Sequence, residues 1–220
     1  MIKDNEEEIL IEIGRMTARL IHDFKNQLGG LKLYAAYLQK RFAGDAEGVE
    51  IAEKIAQGLN EMAEQAAILN KFARPLELRI EEGDLDPVIE QVVSALHSRA
   101  SAKRVRVVCD LEPSRISFDS RQIGAALEAI LTKSVDASPE DGAVAVSMAR
   151  RDEALRIEIK DNGATLDDDQ RENFFAPLAG DRINRTALGL AMARRIIERH
   201  GGQVSARANT PAGTIVEICF

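Results

Sequence analysis

Cysteine is nearly absent from the 220-residue chain, and the two present, Cys109 and Cys219, have neither metal-ligand spacing nor the density of a disulfide scaffold. Each falls in a strand-like run, so both are expected as reduced thiols buried in a core. Positive charge is also short: 29 Lys and Arg stand against 36 Asp and Glu, a formal net charge of -7. With no concentrated basic run, there is little electrostatic drive toward nucleic acid or an anionic membrane, and neither is expected as a partner. No stretch approaches the about 18 uncharged apolar residues of a membrane span, and Met1 to Glu8 is acidic rather than basic and apolar. The expectation is a soluble cytoplasmic protein. What the chain does have is a 45% hydrophobic content, enough for one or two units with real cores.

The apolar residues are patterned. Ile9, Ile13, Met16, Leu20, Phe24, Leu28, Leu31, Ala35, Leu38 and Phe42 recur at steps of three and four, the spacing of a helix packed in a bundle. Histidine is scarce, with three in the chain, and one of them stands off this stripe in Ile21-His22-Asp23-Phe24-Lys25-Asn26. At 100° per residue His22 lies about 200° from both Leu20 and Phe24, so it faces solvent. A solvent-facing imidazole is a nitrogen nucleophile near neutral pH, which points to phosphoryl chemistry. His97 is expected at the surface or in packing, and His200, beside Gly201, near the negative end of its helix.

A second helical segment from about Gly48 to Phe72 places Ala52, Ile55, Leu59, Met62, Ala66 and Leu69 on a heptad-like seam. The break at Ala43-Gly44-Asp45 is short enough to force an antiparallel hairpin. Two helices alone leave a long apolar strip wet, so the hairpin is expected to pair with a second copy as a dimeric four-helix bundle. Arg74-Pro75 closes this first domain, residues 1–75, and residues 76–220 form a second. There, Leu85 to Ala100 reads as helix and Val105 to Leu111 as strand. Asp119 opens a helix to about Ala137, with Gln122 three residues on in a capping-box pattern. Ala143 to Met148 and Leu155 to Ile159 form a hairpin turning at Arg150 to Glu153. Asp167-Asp168-Asp169 reads as a solvated helix start rather than a metal site. Ala187 to His200 is a helix stopped by Gly201-Gly202, and Val204 to Ala208 with Thr214 to Phe220 is a closing hairpin. The class is α+β: a helical hairpin followed by an α/β sandwich.

In this order the motifs become a series. His22-Asp23-Phe24-Lys25-Asn26, Phe72-Ala73-Arg74-Pro75, Asp161-Asn162-Gly163, Phe174-Phe175-Ala176-Pro177, Leu188-Gly189-Leu190-Ala191, Arg195-Ile196-Ile197 and His200-Gly201-Gly202 follow one another along the chain. The whole chain resembles the dimerisation and ATP-binding core of a two-component sensor histidine kinase, whose second domain is a Bergerat-type ATPase sandwich. The resemblance implies that His22 is phosphorylated and that Asp23 orients the ring or deprotonates its other nitrogen. It implies that Asn26, one turn on, contacts the phosphoryl group or a water. Small flanks at Ala18 and Gly29 and positive charge at Arg15 and Arg19 would let an acidic response-regulator receiver approach. Asp161 and Gly163 correspond to the residues that contact the adenine amine and allow its approach.

Departures fall on the nucleotide site. The family's helix equivalent to Asp119 to Ala137 carries two asparagines four apart, the second a Mg²⁺ ligand, where this chain has Ala129 and Lys133. A charged ammonium has no lone pair, and at about 4 Å from a divalent ion it would oppose binding by several kcal/mol at an effective dielectric of about 20. The family's Asp-x-Gly-x-Gly becomes Asp161-Asn162-Gly163-Ala164-Thr165, and its Gly-x-Gly-x-Gly becomes Arg185-Thr186-Ala187-Leu188-Gly189. Of the cofactor candidates Asp161, Gly163, Lys133 and Gly189, none is a metal ligand. The expectation is a phosphorelay histidine phosphotransferase, passing phosphoryl groups between response-regulator aspartates through His22, Asp23 and Asn26 and needing no cofactor. The alternatives are an ATP- and Mg²⁺-dependent autophosphorylating kinase core with an atypical nucleotide site, or a non-catalytic regulator.

Overall fold

The structure, a computed structural model, describes residues 24, 26–42, 44–73, 76–176 and 185–220. Ile9, Ile13, Met16, Leu20 and the His22–Asp23 pair lie outside the described residues. The chain divides into two compact units, Met1–Pro75 and Leu76–Phe220.

In the first unit α1 (residues 26–41) is followed by α2 (Ala46–Ala73). Asp45 makes the turn: its N–H donates to the Phe42 carbonyl at 2.8 Å, and its Oδ1 accepts the Glu47 N–H at 3.2 Å. A side chain at Gly48 would come within 2.9 Å of the Phe42 ring, so glycine lets that ring lie over the turn. Leu28, Ala35, Ala52 and Ala66 are buried, as the seam requires, whereas Phe24, Leu31, Ile55 and Met62 on the same seam stay 42–49% exposed. Off the seam, Leu33, Tyr34 and Tyr37 are exposed on α1.

The second unit opens with β1 (Glu81–Asp84), α3 (Asp86–Ala95), α4 (His97–Ala102), β2 (Arg106–Leu111), β3 (Arg115–Phe118) and α5 (Ser120–Ala137). It continues with β4 (Ala143–Arg151), β5 (Ala154–Asp161), α6 (Asp168–Glu172), α7 (Arg185–Arg199), β6 (Gln203–Ala208) and β7 (Thr214–Cys219). Five strands form one sheet in the order β2-β4-β5-β7-β6, with β2 parallel to β4 and the other neighbours antiparallel. Alternation builds its inner face, because successive side chains of a strand point to opposite sides. Val144, Val146 and Met148 of β4, Leu155, Ile157 and Ile159 of β5, and Val216 and Ile218 of β7 are all buried. They meet Ile123, Leu127, Ile130 and Leu131 of α5 and Leu190, Ile196 and Ile197 of α7 in one core. The opposite face carries ion pairs, Arg156 with Glu217 at 2.9 Å and both Lys160 and Arg207 with Glu158.

The structure departs from the sequence expectations at four places. The helix expected over Leu85 to Ala100 is two helices, broken at Leu96, whose side chain is buried at the junction. The ribbon β1–β3 was not foreseen, because Glu81-Glu82-Gly83-Asp84 has no apolar alternation and exists as a strand only through its pairing with Arg115–Phe118. Cys109 is exposed rather than buried, since β2 is an edge strand, and Cys219 is half-buried; both are free thiols. The β4–β5 turn is at Asp152 and Glu153, both at positive φ (49° and 70°), which tightens the hairpin and lengthens both arms.

Asp119 joins several of these parts. Its carboxylate accepts the N–H of Gln122 at 2.9 Å, capping α5, and the N–H of Arg79 at 2.8 Å. Its own N–H donates to His200 Nε2 at 3.0 Å, while His200 Nδ1 bonds the Ile196 carbonyl at 2.7 Å in the last turn of α7. The imidazole is therefore held with its proton on Nδ1. Burial pushes the Asp119 carboxyl up, but the two N–H donors together with the charge of Arg121 bring it below its ordinary value. A carboxylate lowered in the folded state contributes stability above its unfolded pKa, and that contribution is lost as pH falls through the folded value. Asp119→Ala is expected to cost about 1–2 kcal/mol at pH 7. Urea unfolding should show this cost shrinking as pH falls below the ordinary carboxylate value of about 4 and through the still lower value of the folded state.

Candidate active site

Period two continues past the hydrophobic run of β5. Leu155, Ile157 and Ile159 point inward, and so does Asp161, which is only 4% exposed. The strand thus carries a carboxylate into the core at the end of the sheet, where a bare charge would be costly. Its Oδ1 accepts the N–H of Gly163 and the N–H of Thr214, each at 3.0 Å, and the Ser134 side chain bonds it from α5. Burial raises the Asp161 carboxyl above its ordinary value; those three donors and the charge of Lys133 act in the other direction without cancelling it. The backbone around it is equally close. A Cβ on Gly163 would lie 2.6 Å from the Ala137 carbonyl oxygen, and one on Gly213, at φ +107°, would lie 2.0 Å from the Asp161 carbonyl oxygen.

Beside Asp161 opens a cavity of about 910 Å³. Lys133, Asp136 and Ala137 of α5 form one wall, Thr186, Ala187 and Leu190 of α7 another, and Thr214 ties it to Asp161. Asp169, Gln170, Asn173 and Phe174 come from α6 and the turn after it. Asp167 caps α6 through a reciprocal box with Gln170, so the acidic run starts a helix, as expected. Phe174 packs edge-on to Phe175 at 5.0 Å between centroids, and both rings are buried. Asp136 is already neutralised by Arg99, whose Nε and guanidinium nitrogen reach its two oxygens at 2.7 Å each.

The sequence candidates therefore separate. Lys133 lines the cavity, and Asp161 and Gly163 lie at its edge through Thr214 and Ala137. Gly189 is not on the wall: it faces Ala129 across the contact of α7 with α5, at a distance where a Cβ would meet the Ala129 methyl at 3.6 Å. Asn26 is exposed on α1, in the other unit. His22 and Asp23 lie outside the described residues. Sequence reading missed Ser134, Thr214 and Gly213; among these, only Gly213 beside the cis Thr210–Pro211 bond carried a turn signal.

A magnesium ion does not fit the described residues. Mg²⁺ takes oxygen ligands in near-octahedral geometry, whereas the α5 wall presents the Lys133 ammonium and an Asp136 occupied by Arg99, which leaves Asp169 of α6 as the remaining wall carboxylate. No group of three or more His, Cys, Asp or Glu able to hold a metal occurs among the described residues.

Residues 118–220 match the family model described as "Histidine kinase-, DNA gyrase B-, and HSP90-like ATPase". The sensor histidine kinase ZraS of Klebsiella oxytoca is 24% identical over 211 residues, covering 94% of this chain and 46% of that protein. Among solved structures, full-length ShkA in complex with AMPPNP has a TM-score of 0.71 at 20% identity over 93% of this chain and 45% of that one. The histidine kinase ThkA in complex with the response regulator TrrA also has a TM-score of 0.71 at 20% identity, over 100% of this chain and 66% of that one. The chain spans under half the length of the curated relative. The second unit is thus similar to the ATP-binding cores of histidine kinases, and the expectation of a phosphotransferase receives no support from these matches. No helix among the described residues is long and apolar enough to cross a membrane.

Because the Asp161 carboxyl is raised in the fold, its ionisation opposes folding above the ordinary carboxylate value, and the penalty is relieved as pH falls through the folded value. Asp161→Asn removes that penalty while keeping an acceptor for Gly163 and Thr214. Measured by urea unfolding, the stability of the variant relative to wild type should be higher at pH 7 than at pH 4.

Proposed function

From a chain whose second unit is similar to histidine kinase ATP-binding cores, we propose an ATP-dependent histidine kinase core with an atypical nucleotide site, His22 being the phosphoacceptor. The observation that carries this reading is the buried Asp161 at the edge of a nucleotide-sized cavity, inside a region matched by the kinase ATPase model. Asp161 and Gly163 would receive the adenine base, and the walls from α5 and α7 the phosphates. A ring nitrogen of His22 would attack the γ-phosphorus as the bond to the β-phosphate oxygen breaks and ADP leaves. Asp23 would orient the ring or take its other proton, and Asn26 would contact the transferred group. The acceptor beyond His22 would be the aspartate of a response-regulator receiver, the class of partner held by ThkA in its complex with TrrA.

A second reading, transfer between receivers through His22 without ATP, is favoured by Lys133, Arg185 and Ala187 standing where the resemblance expects a metal ligand and two glycines. One experiment separates the two. Incubation of the chain with γ-labelled ATP should label it at histidine, and His22→Gln should abolish the label. A wild-type chain that stays unlabelled by ATP but takes label from a phosphorylated receiver overturns the kinase reading in favour of the relay.

The seam of the hairpin also leads us to propose a homodimer, since Phe24, Leu31, Ile55 and Met62 each keep 42–49% of their surface exposed in one chain. Light scattering at micromolar concentration should give twice the chain mass; a monomeric mass rejects the bundle.

A further inference from the structure

The mismatch between the cavity and a divalent ion has a positive side. Lys133 lines the cavity without a close ion pair or a hydrogen bond to any described residue, so its ammonium faces a nucleotide-sized space. The nearest wall carboxylate on its own helix, Asp136, is held in a two-pronged bond by Arg99, and Lys103 Nζ bonds the carbonyls of Val135 and Asp136. Those groups fix the end of α5 and leave Lys133 outside both contacts. The charge of Lys133 also acts on Asp161, so the cation on the α5 wall lies within electrostatic reach of the base anchor. The first turn of α7 adds Thr186 to that wall and has no acidic residue, so the positive end of a 15-residue helix is turned to the same space. Asp169 is the one other wall carboxylate, on α6.

We propose that this cavity binds a nucleoside triphosphate or diphosphate as the free polyanion, without a divalent cation, with Lys133 neutralising the phosphates as a fixed charge. The proposal rests on the nucleotide-binding reading given above and narrows it to the metal-free ligand. A phosphate complexed by Mg²⁺ has part of its negative charge cancelled and brings a dication toward the ammonium, so the metal should hinder binding. Lysine is suited to this task as a compact point charge with three rotatable donors.

Calorimetric titration of the whole chain tests the proposal, using ATP in EDTA, ATP in excess MgCl₂, and adenosine. ATP is expected to bind in EDTA at least as tightly as with Mg²⁺. Lys133→Met should weaken ATP at least tenfold in EDTA while leaving adenosine within about twofold, and Lys133→Arg should restore ATP binding; retained adenosine binding shows that each variant is folded. ATP binding that requires Mg²⁺, or that Lys133→Met leaves unchanged, overturns the metal-free site and leaves the nucleotide-binding reading standing. Absence of binding by ATP and adenosine alike overturns both.

Discussion

A carboxylate inside the core governs the layout of the second unit. Asp161 is delivered there by the alternation of β5, and no single element satisfies it: Gly163 follows it in the chain, Thr214 begins β7, and Ser134 belongs to α5. Every group that removes the cost of burying it must therefore arrive together, which ties the exit of β5, the start of β7 and the last turn of α5 into one joint. Asn209 adds a side-chain bond to the Asp161 carbonyl at 2.9 Å, and Gly213 crosses that carbonyl so closely that no side chain is possible. The cavity lies beside this joint, with Thr214 belonging to both.

Helix α5 does two jobs with one periodicity. Ile123, Ala126, Leu127, Ile130, Leu131, Ser134 and Val135 face the core, while Lys133, Asp136 and Ala137 reach the cavity. The surrounding cations are divided by geometry rather than by count. Arg99 consumes Asp136, Lys103 consumes the terminal carbonyls, and Lys133 is left to face the cavity. At the other end of the helix, Asp119 and His200 link the start of α5 to the end of α7. The two helices that wall the cavity are thus clamped at the far end from it, and Gly189 against Ala129 lets them approach closely between the two.

Much of this was legible in the residue order. The alternation of Val144, Val146 and Met148 and of Leu155, Ile157 and Ile159 identified two strands, and the period of Ala187 to His200 identified α7, because burial on one face leaves a regular trace. Strand β1 left none: its residues are mainly charged and its hydrogen bonds come from a partner strand more than 30 residues away. The break at Leu96 was invisible for a related reason, since Leu96 continues the apolar pattern while the backbone turns. Cys109 followed a strand pattern correctly, yet nothing in a strand tells whether it will lie at the edge of its sheet.

The order of residues alone determined the main helices and four strands of the larger sheet's hairpins, and that a lysine occupies the position expected of a metal ligand. Those properties depend on side-chain type and on spacing within one element. Only the tertiary structure decided that Ser134 and Thr214 satisfy Asp161, that Gly189 packs a helix contact instead of lining the cavity, and that Arg99 removes Asp136 from it while Lys133 remains facing it. These outcomes depend on which neighbour reaches a group first, and that follows from how separate elements pack in space.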